Sequence, residues 1–131
     1  MDSRKRLLFV CIENSNRSQM AEAFARIHGG DAVEAFSAGS RPSGKVNSKA
    51  VEAMRELGND LTQHESKSQQ EIPQAQYDAV VTMGCGDACP LVSSRRMITW
   101  NIPDPKDLPP VAFREVRDLI EANVKALLAT L

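Results

Sequence analysis

Apolar and polar positions fall into blocks along this chain, and the spacing inside each block separates strands from helices. "RLLFVC" (6–11) is a short unbroken apolar run of the kind a buried strand gives. From Ser18 the spacing changes, with Met20, Phe24 and Ile27 at helical intervals and His28-Gly29-Gly30 as a stop. "AVEAFSAG" (32–39) predicts a second strand ending at Gly39. "NSKAVEAMRELG" (47–58) predicts a helix capped by Asn47 or Ser48, with Val51, Met54 and Leu57 on one face and Gly58 as terminator. Residues 59–76 are polar and weakly patterned, with room for one short helix. "YDAVVTM" (77–83) predicts a third strand and "RMITWN" (96–101) a fourth, nearer a sheet edge. A loop carrying Pro103, Pro105, Pro109 and Pro110 leads into a final helix whose apolar face is Phe113, Val116, Ile120, Val124 and Leu127.

Strands alternating with helices imply parallel pairing with right-handed crossovers, hence a small open α/β sheet. Ligands of such sheets bind outside the carboxyl ends of the strands. Cys11 closes the first strand, Cys85 follows the third and Asp104 follows the fourth, so all three collect on that edge. At 131 residues the expectation is one domain spanning 1–131, large enough to fold without disulfide staples. A net charge of −1 argues against nucleic acid or an anionic membrane as partner, and Arg4-Lys5-Arg6 reads as a solvated lead-in to a strand. No apolar window is long enough to span a membrane, and "LLFVC" is too short for a signal-peptide core. The expectation is a cytoplasmic monomer in which Cys11, Cys85 and Cys89 rest as thiols, their odd number arguing against a structural disulfide framework.

"CIENSNRS" (11–18) sits between the first strand and the first helix, where a chain often binds an oxyanion. The backbone N–H groups of Ile12, Glu13, Asn14, Ser15, Asn16 and Arg17 converge as the chain turns into a helix whose N-terminus carries partial positive charge. Arg17 adds a planar fork that grips two oxygens at once. The same field favours the thiolate form that a cysteine nucleophile needs, and the Ser18 hydroxyl is placed to hydrogen-bond the Cys11 sulfur. Asn14 is the residue best able to take a left-handed conformation in a loop without glycine. The bland alternative is that Cys11 merely ends a buried strand and Arg17 begins an exposed helix; C-x5-R alone is a loose pattern.

"VCIENSNRSQMAEAFA", "FSAGS", "VVTMGCGDACP" and "WNIPDP" occur in this order along nearly the whole chain. Together they resemble the thioredoxin-coupled arsenate reductases built on the low-molecular-weight protein tyrosine phosphatase scaffold. The resemblance implies a flavodoxin-like three-layer fold with a four-stranded parallel sheet. It also implies Cys11 as nucleophile in an anion loop running through Ile12, Glu13, Asn14, Ser15, Asn16, Arg17 and Ser18. Arsenate is then the substrate, with phosphate or sulfate as competing anions. No cofactor is bound, and an external thiol protein such as thioredoxin is the reductant.

Reduction of arsenate takes two electrons, and no flavin or nicotinamide motif is evident. Within the resembled family, Cys11 attacks arsenate, Cys85 attacks Cys11 with release of arsenite, and Cys89 attacks Cys85, moving the disulfide to Cys85–Cys89. At helical spacing the Cα atoms of that pair lie about 6 Å apart, within disulfide reach. Better-known members place six residues between these two cysteines, whereas "CGDAC" has three. A zinc site of Cys11, Cys85, Cys89 and a histidine is one alternative, and a pair of inert buried thiols another.

By the same resemblance Asp104 is the acid that protonates the departing oxygen; read alone, it is a turn aspartate before proline. Lys106 follows where the phosphatases carry a tyrosine, and Asn16 stands where many relatives carry a cysteine. Several members bind potassium through groups matching Asn14, Glu22 and Ser37 plus an acidic residue. Lys67 aligns with the last, so its ammonium is expected to pair with Glu22 and replace the ion. Glu13 is expected to face solvent, His28 to cap the first helix, and His64 to tie down the polar segment. The rivals are a small tyrosine phosphatase, whose extra cysteines protect the nucleophile, and a non-catalytic thiol sensor, which needs neither Asp104 nor Arg17.

Overall fold

The computed structural model describes residues 4–11, 14, 16–39, 43–61, 64, 66, 72–73, 76–83 and 94–131. Its elements run β1 (Lys5–Cys11), α1 (Arg17–Gly29), a 3-10 turn (Gly30–Ala32), β2 (Val33–Gly39), α2 (Ser48–Arg55), β3 (Ala79–Thr82), β4 (Met97–Thr99) and α3 (Pro110–Leu128). The four strands form one sheet in the order β2-β1-β3-β4, every pair parallel. That is the flavodoxin-like winding, whose order reverses between β1 and β3. Cys11 pairs with Gly39, Val10 with Thr82, and Thr82 with Thr99, so the strands end nearly level along one edge.

Alternation along β1 divides the core. Leu7, Phe9 and Cys11 join a cluster with Met20 and Phe24 of α1, Ala50, Ala53 and Met54 of α2, and Phe113, Val116, Ile120, Val124 and Leu127 of α3. Leu8 and Val10 face the other way and pack with Ala38, Val80, Ile72 and Tyr77. Both faces are therefore buried, which is why β1 reads as a continuous apolar run rather than an alternating one. Among the described residues no helix is long and apolar enough to cross a membrane.

Several boundaries shift for local reasons. α2 starts at Ser48 with Asn47 as its cap, the side chain accepting from the Lys49 N–H at 2.8 Å. It ends at Arg55, earlier than the pattern predicts, and Gly58 (φ +80°) turns the chain so that the Asn59 N–H reaches the Met54 carbonyl at 3.0 Å. Leu57 thus falls outside the helix and is exposed. The buried stretch of α1 ends at Ala25, so Ile27 in the last turn is exposed as well. His28 does not cap a carbonyl: its Nε2 meets Glu121 Oε2 at 2.8 Å, tying α1 to α3, and its ring stacks on Phe24. β3 starts later than predicted, because Tyr77 joins Ser94 only through an isolated bridge, and β4 is shorter too, running only from Met97 to Thr99. Pro110 begins α3, where a missing N–H costs nothing.

α2 is fastened to α3 by Arg117, only 7% exposed, which donates to the Ala53 carbonyl at 2.8 Å and to Glu56 Oε1 at 2.7 Å. Arg114 also bonds that carboxylate; its hydrogen bonds, with that of Arg117, hold Glu56 below the usual carboxylate range.

The split of α3 into a buried and a wet face gives a direct test. Ile120→Ala, at a fully buried position, should cost about 2–5 kcal/mol in urea unfolding. Leu119→Ala, at a position 42% exposed, should stay within about 0.5 kcal/mol of the parent.

Candidate active site

β1 delivers Cys11 to the carboxyl edge of the sheet, at the switch in strand order, as a free thiol only 3% exposed. Its Sγ lies 2.9 Å from Ser18 Oγ, and Asn14 Nδ2 donates to the same hydroxyl at 2.8 Å. A hydroxyl has one proton to give. When Cys11 is a thiolate its sulfur can only accept, and Ser18, its oxygen accepting from Asn14, is then the donor. Asn14 is the one non-glycine residue at positive φ (+52°) among the described residues. Gln19 Nε2 bonds both the Asn14 carbonyl (3.1 Å) and its Oδ1 (2.9 Å), which fixes the amide with its nitrogen toward Ser18. Glycine is absent because side-chain hydrogen bonds hold an asparagine in the conformation the turn requires.

The helix that follows starts without a side-chain cap. Asn16 occupies the cap position of α1, yet its side chain makes no capping bond, and no acidic residue lies in the first turn. Arg17, expected by the bland alternative to be exposed, is only 6% exposed. Its Nη1 donates to the Ile102 carbonyl at 2.9 Å and its Nη2 lies 3.9 Å from Asp104 Oδ2. Asp104 is half exposed on the loop after β4 and accepts from the Lys106 N–H at 3.0 Å. Cys11, Asn14, Asn16, Arg17, Ser18 and Asp104 thus gather at one edge. Ile12, Glu13, Ser15, Lys67, Cys85 and Cys89, with the relay and zinc readings that rest on the last two, lie outside the described residues.

Behind the loop lies a second buried polar group. Glu22, 2% exposed, accepts from Ser37 Oγ at 2.9 Å on one oxygen. Its other oxygen faces Arg26 at 3.5 Å and His64 Nδ1 at 3.3 Å. His64 Nδ1 also lies 2.9 Å from Gln19 Oε1, so a continuous line of polar contacts runs from Cys11 through Ser18, Asn14, Gln19 and His64 to Glu22 and Ser37. The expected tie at His64 is therefore present, and its anchor is this line. Gln19 was not legible as part of the site, because a glutamine two residues into a helix reads as a neutral helix former. Its full burial is the signal that only folding supplies. Tyr77 is fully buried, its hydroxyl donating to the Pro73 carbonyl at 2.8 Å, and burial pushes its phenol above the usual value. Trp100 packs on Phe9, ring centres 5.9 Å apart. Tyr77, buried and bonded through its hydroxyl, is not free to line a pocket for an aromatic substrate.

Comparison with known proteins agrees over the length of the chain. Residues 6–131 match the family described as low molecular weight phosphotyrosine protein phosphatase. An arsenate reductase of Staphylococcus epidermidis is 38% identical over 127 residues, covering 94% of this chain and 95% of that protein. Among solved structures, an arsenate reductase in the phosphate binding state superposes with a TM-score of 0.87 at 33% identity, covering 96% of this chain and 98% of that one. A thioredoxin-dependent arsenate reductase of Corynebacterium glutamicum superposes with a TM-score of 0.80 at 27% identity, over 97% of this chain and 61% of that one.

The direction of the Ser18 proton sets a measurable expectation. Ser18→Ala removes the donor to sulfur and should slow alkylation of Cys11 by iodoacetamide at neutral pH by about tenfold, the worth of one hydrogen bond to a charged acceptor. Asn14→Ala should slow it too, and should also lower the melting temperature, because alanine is strained at φ +52°.

Proposed function

As a member of the low molecular weight phosphotyrosine protein phosphatase family, the chain carries a loop for tetrahedral oxyanions, and we propose that it uses that loop to reduce arsenate to arsenite. Cys11 thiolate attacks arsenic, forming a sulfur–arsenic bond, while an oxygen leaves as water with a proton from Asp104. Arg17 and the N–H groups of residues 12–17 hold the remaining oxygens. Cys85 then attacks the Cys11 sulfur. A disulfide forms, the sulfur–arsenic bond breaks with its electron pair going to arsenic, and arsenite departs. Cys89 attacks Cys85, freeing Cys11 and leaving Cys85–Cys89 for an external dithiol to reduce. Thioredoxin or a similar protein fits that role, since a relative of the same fold is thioredoxin-dependent. We take the working unit to be one domain acting as a monomer in a reducing cytoplasm, where these thiols persist.

The observation that carries reduction over hydrolysis is the pair Cys85 and Cys89, which supplies the two electrons that reduction takes and which the hydrolytic step itself does not use. Lys106 in place of an aromatic after Asp104-Pro105, and the burial of Tyr77, weigh the same way. The shared loop still favours slow hydrolysis of aryl phosphates.

Potassium does not fit this chain well. Asn14 Oδ1 already accepts from Gln19, one Glu22 oxygen accepts from Ser37, and the other faces Arg26 and His64. The donors already at these oxygens, with the charges of Arg26 and His64 when protonated, would compete with an ion, so we propose that the site works without it. Lys67 is the further cation proposed for Glu22.

Two measurements test these readings. With arsenate, thioredoxin, its reductase and NADPH, the protein should consume NADPH, and Cys11→Ser, Cys85→Ser and Cys89→Ser should each abolish sustained turnover. Full turnover in either of the last two would overturn the relay. Exchanging sodium for potassium at constant ionic strength should leave the KM for arsenate within about twofold, a change of less than 0.5 kcal/mol; a sharp fall in KM specific to potassium would refute the built-in donors.

A further inference from the structure

Asp104 stands on a loop, so its carboxyl is aimed only as well as residues 102–108 are held. Arg17 donates to the Ile102 carbonyl at 2.9 Å, the Lys106 N–H donates to Asp104 Oδ1 at 3.0 Å, and the Leu108 N–H donates to the Pro105 carbonyl at 3.0 Å. One more contact arrives from a different element. Lys49, in the first turn of α2, donates its Nζ to the Lys106 carbonyl at 2.9 Å and reaches the Leu108 carbonyl at 3.5 Å. Two carbonyls of the turn that carries the acid thus converge on one ammonium.

Helix electrostatics alone would not put a lysine there. The first turn is the positive end of a helix, where acidic side chains are favoured, and α2 has none in that turn. Nor is Lys49 on a loose arm. α2 is locked onto α3 by the buried Arg117, through the Ala53 carbonyl and Glu56, so the ammonium hangs from an anchored helix.

We propose that Lys49 is a positioning residue for the acid: by clamping the Lys106 and Leu108 carbonyls it keeps the Asp104 carboxyl aimed at the departing oxygen. This rests on the reading of Asp104 as the proton donor. Lys49 touches neither the oxyanion nor the thiol, so its removal should spare anion binding and impair only the step that needs a proton. An acid matters most when the leaving oxygen is strongly basic.

Hydrolysis of aryl phosphates, independent of the cysteine relay, reads this out. Lys49→Met should lower kcat about tenfold for phenyl phosphate but only about twofold for p-nitrophenyl phosphate, whose leaving group needs less help. KM and inhibition by inorganic phosphate should hold steady, and Lys49→Arg, which can still donate to both carbonyls, should restore most of the loss. In an Asp104→Asn background, Lys49→Met should have no further effect on either substrate. An equal loss on both substrates, or an undiminished loss without Asp104, would make Lys49 merely structural and overturn the proposal. If Asp104→Asn steepens the leaving-group dependence and Lys49→Met does not, Lys49 alone is wrong. If Asp104→Asn leaves that dependence flat, the reading of Asp104 falls and the clamp falls with it.

Discussion

The contact between Ser18 Oγ and the Cys11 sulfur, 2.9 Å long, closes the chain on itself across the junction between β1 and α1. To make it, the backbone must leave a strand buried from Leu7 to Cys11, turn within a few residues and enter a helix at Arg17. That turn forces Asn14 to positive φ, which a residue with a Cβ holds only when its surroundings determine it. Gln19 supplies that determination by bonding both ends of the Asn14 amide, and His64 and Glu22 in turn hold Gln19 and α1. Polar groups buried this deeply are stabilising only when each is matched, so the line from Cys11 to Ser37 holds as a unit.

Charge is distributed to suit an anion. Arg17 and the uncapped start of α1 supply positive potential at the edge, while the buried carboxylate nearest the loop, Glu22, is matched by Ser37, Arg26 and His64. Asp104 is different: it keeps half its surface in water and stands 3.9 Å from Arg17, across a gap too long for a hydrogen bond. As the proposed proton donor, it needs that access to exchange its proton with water. Its loop supplies access at the expense of rigidity, and contacts from Arg17 and Lys49 offset the loss from two sides.

How much of this was legible in the sequence follows from what each feature depends on. β1 could be read because its apolar run is unbroken, α1 and the apolar face of α3 because their apolar residues recur at helical spacing, and Gly58 and Asn14 because a left-handed conformation restricts residue choice. The collection of Cys11 and Asp104 on one edge followed from parallel topology alone. Gln19 and Lys49 were invisible for a common reason. Each has a partner far away in sequence, Lys49 in carbonyls 57 and 59 residues on and Gln19 in His64, 45 residues on, and a glutamine or lysine near a helix start carries no local signature of such a partner. His28 misled in the opposite way: its place before two glycines suggested a cap, but a carboxylate 93 residues distant was the better partner for its ring.

The anion loop by itself does not choose between hydrolysis and reduction. Both begin with the same attack by a thiolate on a tetrahedral centre held by Arg17, and both are helped by an acid at the departing oxygen. They part only at the second step, where either water attacks the bound group or a thiol attacks the sulfur. With phosphorus the first is the only route, because phosphate does not accept the electron pair of the broken bond. With arsenic that pair has somewhere to go. On the relay proposed above, Cys85 supplies that thiol, and no new anion site is needed for the chain to act as a reductase. The hydrolytic scaffold already supplies the strand end, the helix start, the arginine and the acid. Change of function on this fold reduces to which nucleophile arrives second, and that is set by the chain beyond β3 rather than by the loop after β1.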